Sequence, residues 1–335
     1  MGHIIPVFIP HAGCPHQCIF CNQKTISGEK ENGLAAARQQ IEKYRKWTKN
    51  NPANEIAFYG GSFTALPIEF QEELLKLGNY YRKMGLVGNL RLSTRPDYID
   101  DKEISLLKYY NVATVELGVQ SFDDKVLALA ERGHKAACVF TAGKALKTAG
   151  ITLGLQLMVG LPSQNQDSLR KTLRAAVELK PTLARIYPLL VIKETPLATL
   201  FLQNKYKPLS LETAVEQTYF LYKGLMEAGI KVIRMGLQPD AELCKAGNIL
   251  AGPFHPAFGE LVKSYAYYLQ VQGIIDNLAD DGCYELIITH PLKLTSVVRG
   301  IKKININKWE KNGKIKIKLQ IGDKFGVKIN DRKTL

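Results

Sequence analysis

The sequence predicts an α/β fold, a partial TIM-type (β/α)6 barrel of parallel strands followed by a small basic α+β appendage at the C-terminal end. Three observations point there. Short β-branched runs alternate with longer helical patterns between residues 4 and 235, the rhythm of right-handed βαβ units. Gly or Pro punctuates the junctions, as at Gly150, Pro181 and Gly229. Near Pro239 the rhythm stops, and past Lys293 the chain turns strongly basic.

The strand runs cover residues 4–9, 55–59, 89–94, 114–120, 151–159, 184–191 and 231–235. Helical patterns fall between them at 34–47, 68–83, 101–110, 135–148, 167–179 and 211–228. Six or seven strand–helix units suit a barrel that need not close. After Pro239 comes a rigid loop, Gly252-Pro253-Phe254-His255-Pro256, then a helix from Phe258 to about Asp276 and a strand at 284–289. Residues 314–319 alternate Lys with aliphatics at period two, which reads as a half-buried strand. We therefore expect a core barrel over 1–240 and a basic α+β region over 241–335.

Composition narrows the function. The chain has 335 residues, 46% of them hydrophobic, so a sizeable core is available and global disorder is excluded. No apolar run is long enough to span a bilayer, and the apolar start at 4–9 is too short for a signal peptide and holds Pro6. The expectation is a cytoplasmic protein with no membrane partner. The net charge is +14, and the last 43 residues carry 13 Lys/Arg against 3 acids. Such a tail suits a polyanion, RNA before others. Lys314, Lys316 and Lys318 could equally protect a sheet edge.

The six cysteines are uneven. Cys14, Cys18 and Cys21 form a C-x3-C-x2-C loop, and this crowding argues for metal in a reducing compartment. Cys138, Cys244 and Cys283 are isolated and read as small buried hydrophobes. Two metals suit the triplet. Zinc would need a fourth ligand, for which His11 or His16 is at hand. A 4Fe–4S cluster held by three thiolates would keep one iron open for a small ligand.

The strand ends carry polar residues. Gly60, Gly61 and Ser62 close the second run and Ser93 lies on the third. Glu116 and Gln120 lie on the fourth, and Gln156 with Met158 on the fifth. In a parallel barrel, functional groups gather at this end. A Gly pair lets backbone approach a ligand closely.

The Cys loop, with Phe20 just before its last Cys, resembles the S-adenosylmethionine (SAM) site of the radical SAM superfamily. Leu117-Gly118-Val119-Gln120-Ser121-Phe122, with Arg132 twelve residues after Gln120, is similar to a pattern of the anaerobic coproporphyrinogen oxidase and Elongator-catalytic-subunit branches. Arg132-Gly133-His134 and residues 185–192 look closest to the Elongator branch. The resemblance covers about residues 3–240. It implies a radical SAM enzyme of that branch without the acetyltransferase domain, whose 4Fe–4S cluster sits on Cys14, Cys18 and Cys21. It implies that SAM is cleaved reductively to a 5′-deoxyadenosyl radical that takes hydrogen from a substrate, with tRNA or other RNA in view. Gly60, Gly61 and Ser62 would then meet the SAM ammonium, Arg132 the carboxylate, and Glu116 and Gln120 the ribose. Gln156 would face SAM, and Phe20 and Met158 would line the site. Ser62 and Ser93 stand where relatives carry acids. A one-electron donor such as flavodoxin or ferredoxin is implied as a partner.

Three further residues stand out. His255 reads as a loop residue or a substrate-side acid or base. Tyr187 reads as barrel filling or a substrate contact. Arg234 sits among aliphatics, so it is expected to reach a polar cavity or an acidic partner. The competing reading of the whole chain is a non-catalytic RNA-binding scaffold with a zinc-stapled Cys loop.

Overall fold

A computed structural model describes residues 4–10, 12–14, 18–29, 31, 33–46, 53–279 and 282–331. His11, His16 and Trp47 lie outside the described residues. The chain divides into two compact units, Met1–Ala214 with Leu221–Pro256, and Val215–Phe220 with Ala257–Leu335.

In chain order the strands of the first unit are β1 (Ile4–Ile9), β2 (Ala53–Gly60), β3 (Val87–Thr94), β4 (Val112–Gln120), β5 (Thr152–Val159), β6 (Leu183–Pro188), β7 (Val191–Ile192), β8 (Lys231–Met235) and β9 (Ile249–Ala251). Seven of them make one parallel sheet, β1-β2-β3-β4-β5-β6-β8, and β7 pairs antiparallel with β9. β1 and β8 are the edges, so the barrel is partial. The sheet curls. Tyr59 on β2 and Arg185 on β6 meet at 2.6 Å. In a flat sheet four strand spacings of about 4.8 Å would hold those strands roughly 19 Å apart.

The helices are α1 (Gln23–Ser27), α2 (Leu34–Arg45), α3 (Ile68–Lys83), α4 (Asp101–Tyr109), α5 (Asp124–Leu129), α6 (Ala136–Thr148), α7 (Gln166–Leu179), α8 (Pro196–Leu202) and α9 (Leu211–Glu227). Several start on side-chain caps. Asp100 accepts from the Glu103 N–H, Asn165 and Ser168 form a reciprocal box, and Ser210 accepts from the Thr213 N–H. Alternation along the strands then sorts the faces. Ile56, Phe58, Leu90, Leu92, Val115, Leu117, Leu153, Leu155 and Ile186 are buried, and Leu90 packs closely on α3 at Gly78, where a Cβ would stand 2.7 Å from Leu90 Cδ2. The opposite, concave face carries Tyr59, Arg91, Glu116, Gln156 and Arg185, whose polar groups meet one another. A closed barrel fills that space with aliphatics.

The second unit holds α10 (Phe258–Ile275), β10 (Tyr284–His290), α11 (Thr295–Arg299), α12 (Ile304–Trp309), β11 (Ile315–Ile321) and β12 (Gly326–Asp331). Its sheet runs β11-β10-β12, parallel then antiparallel. One face packs Leu286, Ile288 and Ile315 against Val271, Val298 and Trp309. Buried Asn305 ties the helices by donating to the carbonyls of Ser264 and Val298 at 3.1 and 3.0 Å. The other face carries Lys316, Lys318 and Lys328, and every described Lys and Arg from Lys293 to Lys328 is exposed. The period-two reading of 314–319 thus describes β11, buried at Ile315 and exposed at its lysines.

Differences from the sequence reading have local causes. The run at 184–191 breaks, because Pro188 has no N–H to continue the ladder and the chain turns off into β7. Helices α1, α5 and α8 are too short to show a period. Cys244 and Cys283 are exposed and Cys138 is half-buried, so none is a buried core thiol. Both exposed cysteines sit in connecting segments, where nothing packs over them. No helix among the described residues is long and apolar enough to cross a membrane.

Candidate active site

The Cys loop is locked to the end of β2 by backbone. A Cβ on Gly61 would stand 1.8 Å from the Ala12 carbonyl oxygen, and one on Gly13 would stand 2.3 Å from that of Ser62. The Ser62 N–H donates to the same Ala12 carbonyl at 3.0 Å. The close approach read from Gly60-Gly61 is therefore made by the protein's own chain. Gly60 also takes a φ of +107°, which suits glycine. Gly61→Ala is expected to push the Cys loop away, lowering stability by about 1–3 kcal/mol or more. A thermal melt with iron content after reconstitution measures both effects. Wild-type iron loading in this variant would contradict the interlock.

The rest of the loop is anchored by apolar contacts. Ile19 is buried with Met158, Leu161, Leu189 and Leu197, and Phe20 packs against the same cluster. The Leu197 N–H donates to the Ile19 carbonyl at 2.8 Å. Phe20 and Met158, named separately in the sequence, thus belong to one wall.

Cys18 is buried, and Cys14 and Cys21 are half-buried. Burial raises the Cys14 thiol pKa, and Cys18 adds to the effect. Burial likewise pushes Cys21 up to about 12, with Cys18 and Cys14 contributing. The scaffold does not ionise Cys14 and Cys21 unaided. A metal centre brings the missing positive charge, since ligating thiols give up their protons to it. The donor set therefore fits an iron–sulfur cluster, one thiolate per iron. Among the described residues no three His, Cys, Asp or Glu gather round a single ion. A cubane does not require that.

Arg132 and Gln120 stand beside the thiols. Arg132 Nη1 donates to Cys18 Sγ at 3.0 Å, and Nη2 donates to the Gly118 carbonyl. Gln120 ends β4 in the left-handed region at φ +66°, a strained setting that turns its side chain toward Gly118. Arg132 Nε and Gln120 Oε1 are buried without a hydrogen-bond partner in the protein. Each orphan costs about 1–3 kcal/mol unless a ligand meets it. SAM suits both, offering hydroxyls to the Gln120 oxygen and a carboxylate to the guanidinium.

Other predicted residues are used within the protein. Ser62 is 1% exposed; its hydroxyl bonds Thr94 at 2.9 Å and accepts from the Arg95 N–H at 3.2 Å. Ser93 lies beside Gly61 and Tyr59, lining a small void. Glu116, expected on the ribose, has both oxygens committed. Arg91 Nη1 reaches Oε1 at 2.9 Å, and Arg185 Nε reaches Oε2 at 2.6 Å. Tyr59 donates to Oε1 and Gln156 to Oε2, each at 3.2 Å. Burial opposes the Glu116 charge, but the two guanidiniums hold its pKa below the ordinary carboxylate range. Gln156 is thereby tied to Glu116.

Arg91 went unread in the sequence. It bridges Glu55 and Glu116, and its signal was a lone charge between Leu90 and Leu92. Arg95 grips Asp97 through two bonds of 3.0 and 2.6 Å. His134 is buried, with burial and then Arg132 pushing its pKa down to about 4, so it is neutral; its Nε2 has no partner in the protein. His255 is half-buried in the loop between β9 and α10.

With that geometry in hand, residues 8–176, half of the chain, match the family described as the radical SAM superfamily. The chain belongs to the radical SAM superfamily. Residues 181–268 match its C-terminal domain. A tRNA uridine(34) acetyltransferase of Methanocaldococcus infernus is 28% identical over 305 residues, covering 78% of this chain and 56% of that protein. The chain thus spans little more than half the length of the first curated relatives it matches. The solved archaeal Elp3 of Methanocaldococcus infernus superposes with TM-score 0.64 at 25% identity, covering 81% of this chain and 63% of that one. The coproporphyrinogen III oxidase HemN of Escherichia coli shares the fold, with TM-score 0.51 at 20% identity over 68% of this chain and 53% of that one. This radical SAM protein is an enzyme, and the family's cofactors are a 4Fe–4S cluster and SAM. The family decides between the two metals in favour of the cluster.

Proposed function

We propose that this radical SAM enzyme modifies tRNA, with residues 1–240 as the catalytic core and the basic region 241–335 holding the nucleic acid. The observation that carries the RNA part is the second unit's charge. Its described cations from Lys293 to Lys328 are all exposed, and Lys316, Lys318 and Lys328 share one sheet face. Phosphate backbones are bound by such surfaces. The relative named as a tRNA uridine(34) acetyltransferase supports the same substrate class.

When bound, the cluster and SAM supply one-electron cleavage of the sulfonium and hydrogen abstraction from the substrate. The chain's own residues bind and orient. Cys14, Cys18 and Cys21 hold the cluster. Gly60 and Gly61 offer backbone carbonyls to the SAM ammonium, with Ser62 holding that turn in place, and Arg132 pairs with the SAM carboxylate. Gln120 accepts from the ribose hydroxyls, while Ser93 and Gln156 border the same space. Ile19, Phe20 and Met158 keep water from the sulfurs. Flavodoxin or ferredoxin supplies the electron.

Mass spectrometry of tRNA nucleosides tests the substrate. Cells lacking this gene are expected to lose or accumulate one modified nucleoside that the wild type does not. An identical nucleoside profile would overturn the RNA part.

A further inference from the structure

The concave face of the first unit's sheet carries three arginines and two glutamates, and the surplus charge sits at the β8 edge. Arg91 is matched by Glu55 at 2.7 Å and Glu116 at 2.9 Å. Arg185 is matched by Glu116 at 2.6 Å. Arg234 on β8 is the register partner of Arg185 on β6. It forms no ion pair with a carboxylate among the described residues. Its guanidinium donates instead to the Gly236 carbonyl at 3.1 Å and to the Gln238 side-chain oxygen. Of the polar cavity or acidic partner expected from the sequence, the described residues supply polar partners only.

The ionisable groups that act on Arg234 are Tyr187, Arg185 and Tyr59, and burial itself opposes its charge. A guanidinium stays protonated in such a setting, so a half-buried one beside another cation calls for an anion. The neighbours suit an oxyanion. Tyr187 lies two residues beyond Arg185 on the same face of β6, and the Tyr59 ring lies 5.2 Å beneath the Arg185 guanidinium. The Tyr59 hydroxyl already serves Glu116 and Arg185. Arg234 keeps guanidinium N–H groups beyond its bonds to Gly236 and Gln238, and Arg185 and Tyr187 lie on the adjacent strand.

We propose that Arg234, Arg185 and Tyr187 bind a phosphate group of the substrate, which supplies the counter-ion that the sheet does not. The guanidinium N–H groups left over by Glu116, Tyr59, Gly236 and Gln238, with the Tyr187 hydroxyl, come from several directions, which suits a tetrahedral dianion more than a planar carboxylate. The site deepens the substrate half of the function above and rests on it. It gives the core its own hold on a nucleotide, separate from the lysines of the second unit.

The test is calorimetric titration of the reconstituted, anaerobic holoprotein at constant ionic strength. The probes are inorganic phosphate, uridine 5′-monophosphate, uridine and acetate. Phosphate and the monophosphate are expected to saturate at one per chain, while uridine and acetate bind at least about tenfold more weakly. Arg234→Gln is expected to weaken phosphate at least about tenfold, and Arg234→Lys by less. Arg170→Gln, at an exposed helix pair, serves as the surface control. Absent saturation in the wild type, acetate binding as tightly as phosphate, or unchanged phosphate binding in Arg234→Gln would each overturn the site. If Arg234→Gln does not fold by circular dichroism, Arg234→Lys carries the test, and wild-type affinity in it overturns the proposal. The two readings fail separately. Phosphate binding with an unaltered tRNA profile sinks the RNA substrate alone, and a changed profile without phosphate binding sinks this site alone.

Discussion

Cys18→Ala is expected to reduce iron incorporation sharply and to take 5′-deoxyadenosine formation to background. Cys18 is the buried member of the triplet and the one that Arg132 touches. Changes in the outer shell of a metal site typically cost about 10–100-fold. Removal of a ligand is expected to exceed that, because a two-thiolate remnant on this loop no longer closes round a cubane. The assay incubates reconstituted protein with SAM and dithionite and quantifies 5′-deoxyadenosine by chromatography. Cys138→Ala, on α6 and hydrogen-bonded to the Lys135 carbonyl, should keep wild-type iron. Turnover surviving in Cys18→Ala would remove Cys18 from the ligand set.

The second large effect is on stability. Glu116→Ala should lower the unfolding free energy by about 3–5 kcal/mol, the usual cost of leaving a buried charge unpaired. Glu55 still serves Arg91, so the loss falls mainly on Arg185, whose described carboxylate partner is Glu116. Urea unfolding measures it, and a change under about 1 kcal/mol would mean the pair is hydrated. The pH dependence has a definite sign. The folded-state pKa of Glu116 is depressed, so its contribution is present above the ordinary carboxylate pKa and is lost as pH falls through the lower folded value. Wild-type protein should therefore lose more stability than Glu116→Ala on acidification below the ordinary carboxylate range.

Much of this was legible in residue order, and the remainder was not for physical reasons. Seven strands stand where the β-branched runs are, because a parallel strand packed under helices needs aliphatics at alternate positions. The triplet, Arg132 and Gln120 were readable because their spacing alone carries a resemblance, and the structure sets Arg132 against Cys18. The sequence does not reveal that Gly61 faces Ala12, since that contact joins two loops 49 positions apart. The partners of Glu116 were hidden for a related reason. A carboxylate on the concave face in mid-strand looks ligand-facing until the curl of the sheet brings Tyr59 and Arg185 across to it. Of the two surroundings expected for Arg234, a polar cavity or an acid, its described partners are polar, the Gly236 carbonyl and Gln238.

The central claim is that Cys14, Cys18 and Cys21 hold a cubane with one iron open to SAM. Electron paramagnetic resonance of the dithionite-reduced, reconstituted protein tests it most directly. The account predicts about four iron per chain and a reduced 4Fe–4S signal that shifts when SAM is added. A signal indifferent to SAM, or a single bound zinc with no paramagnetism, would contradict it.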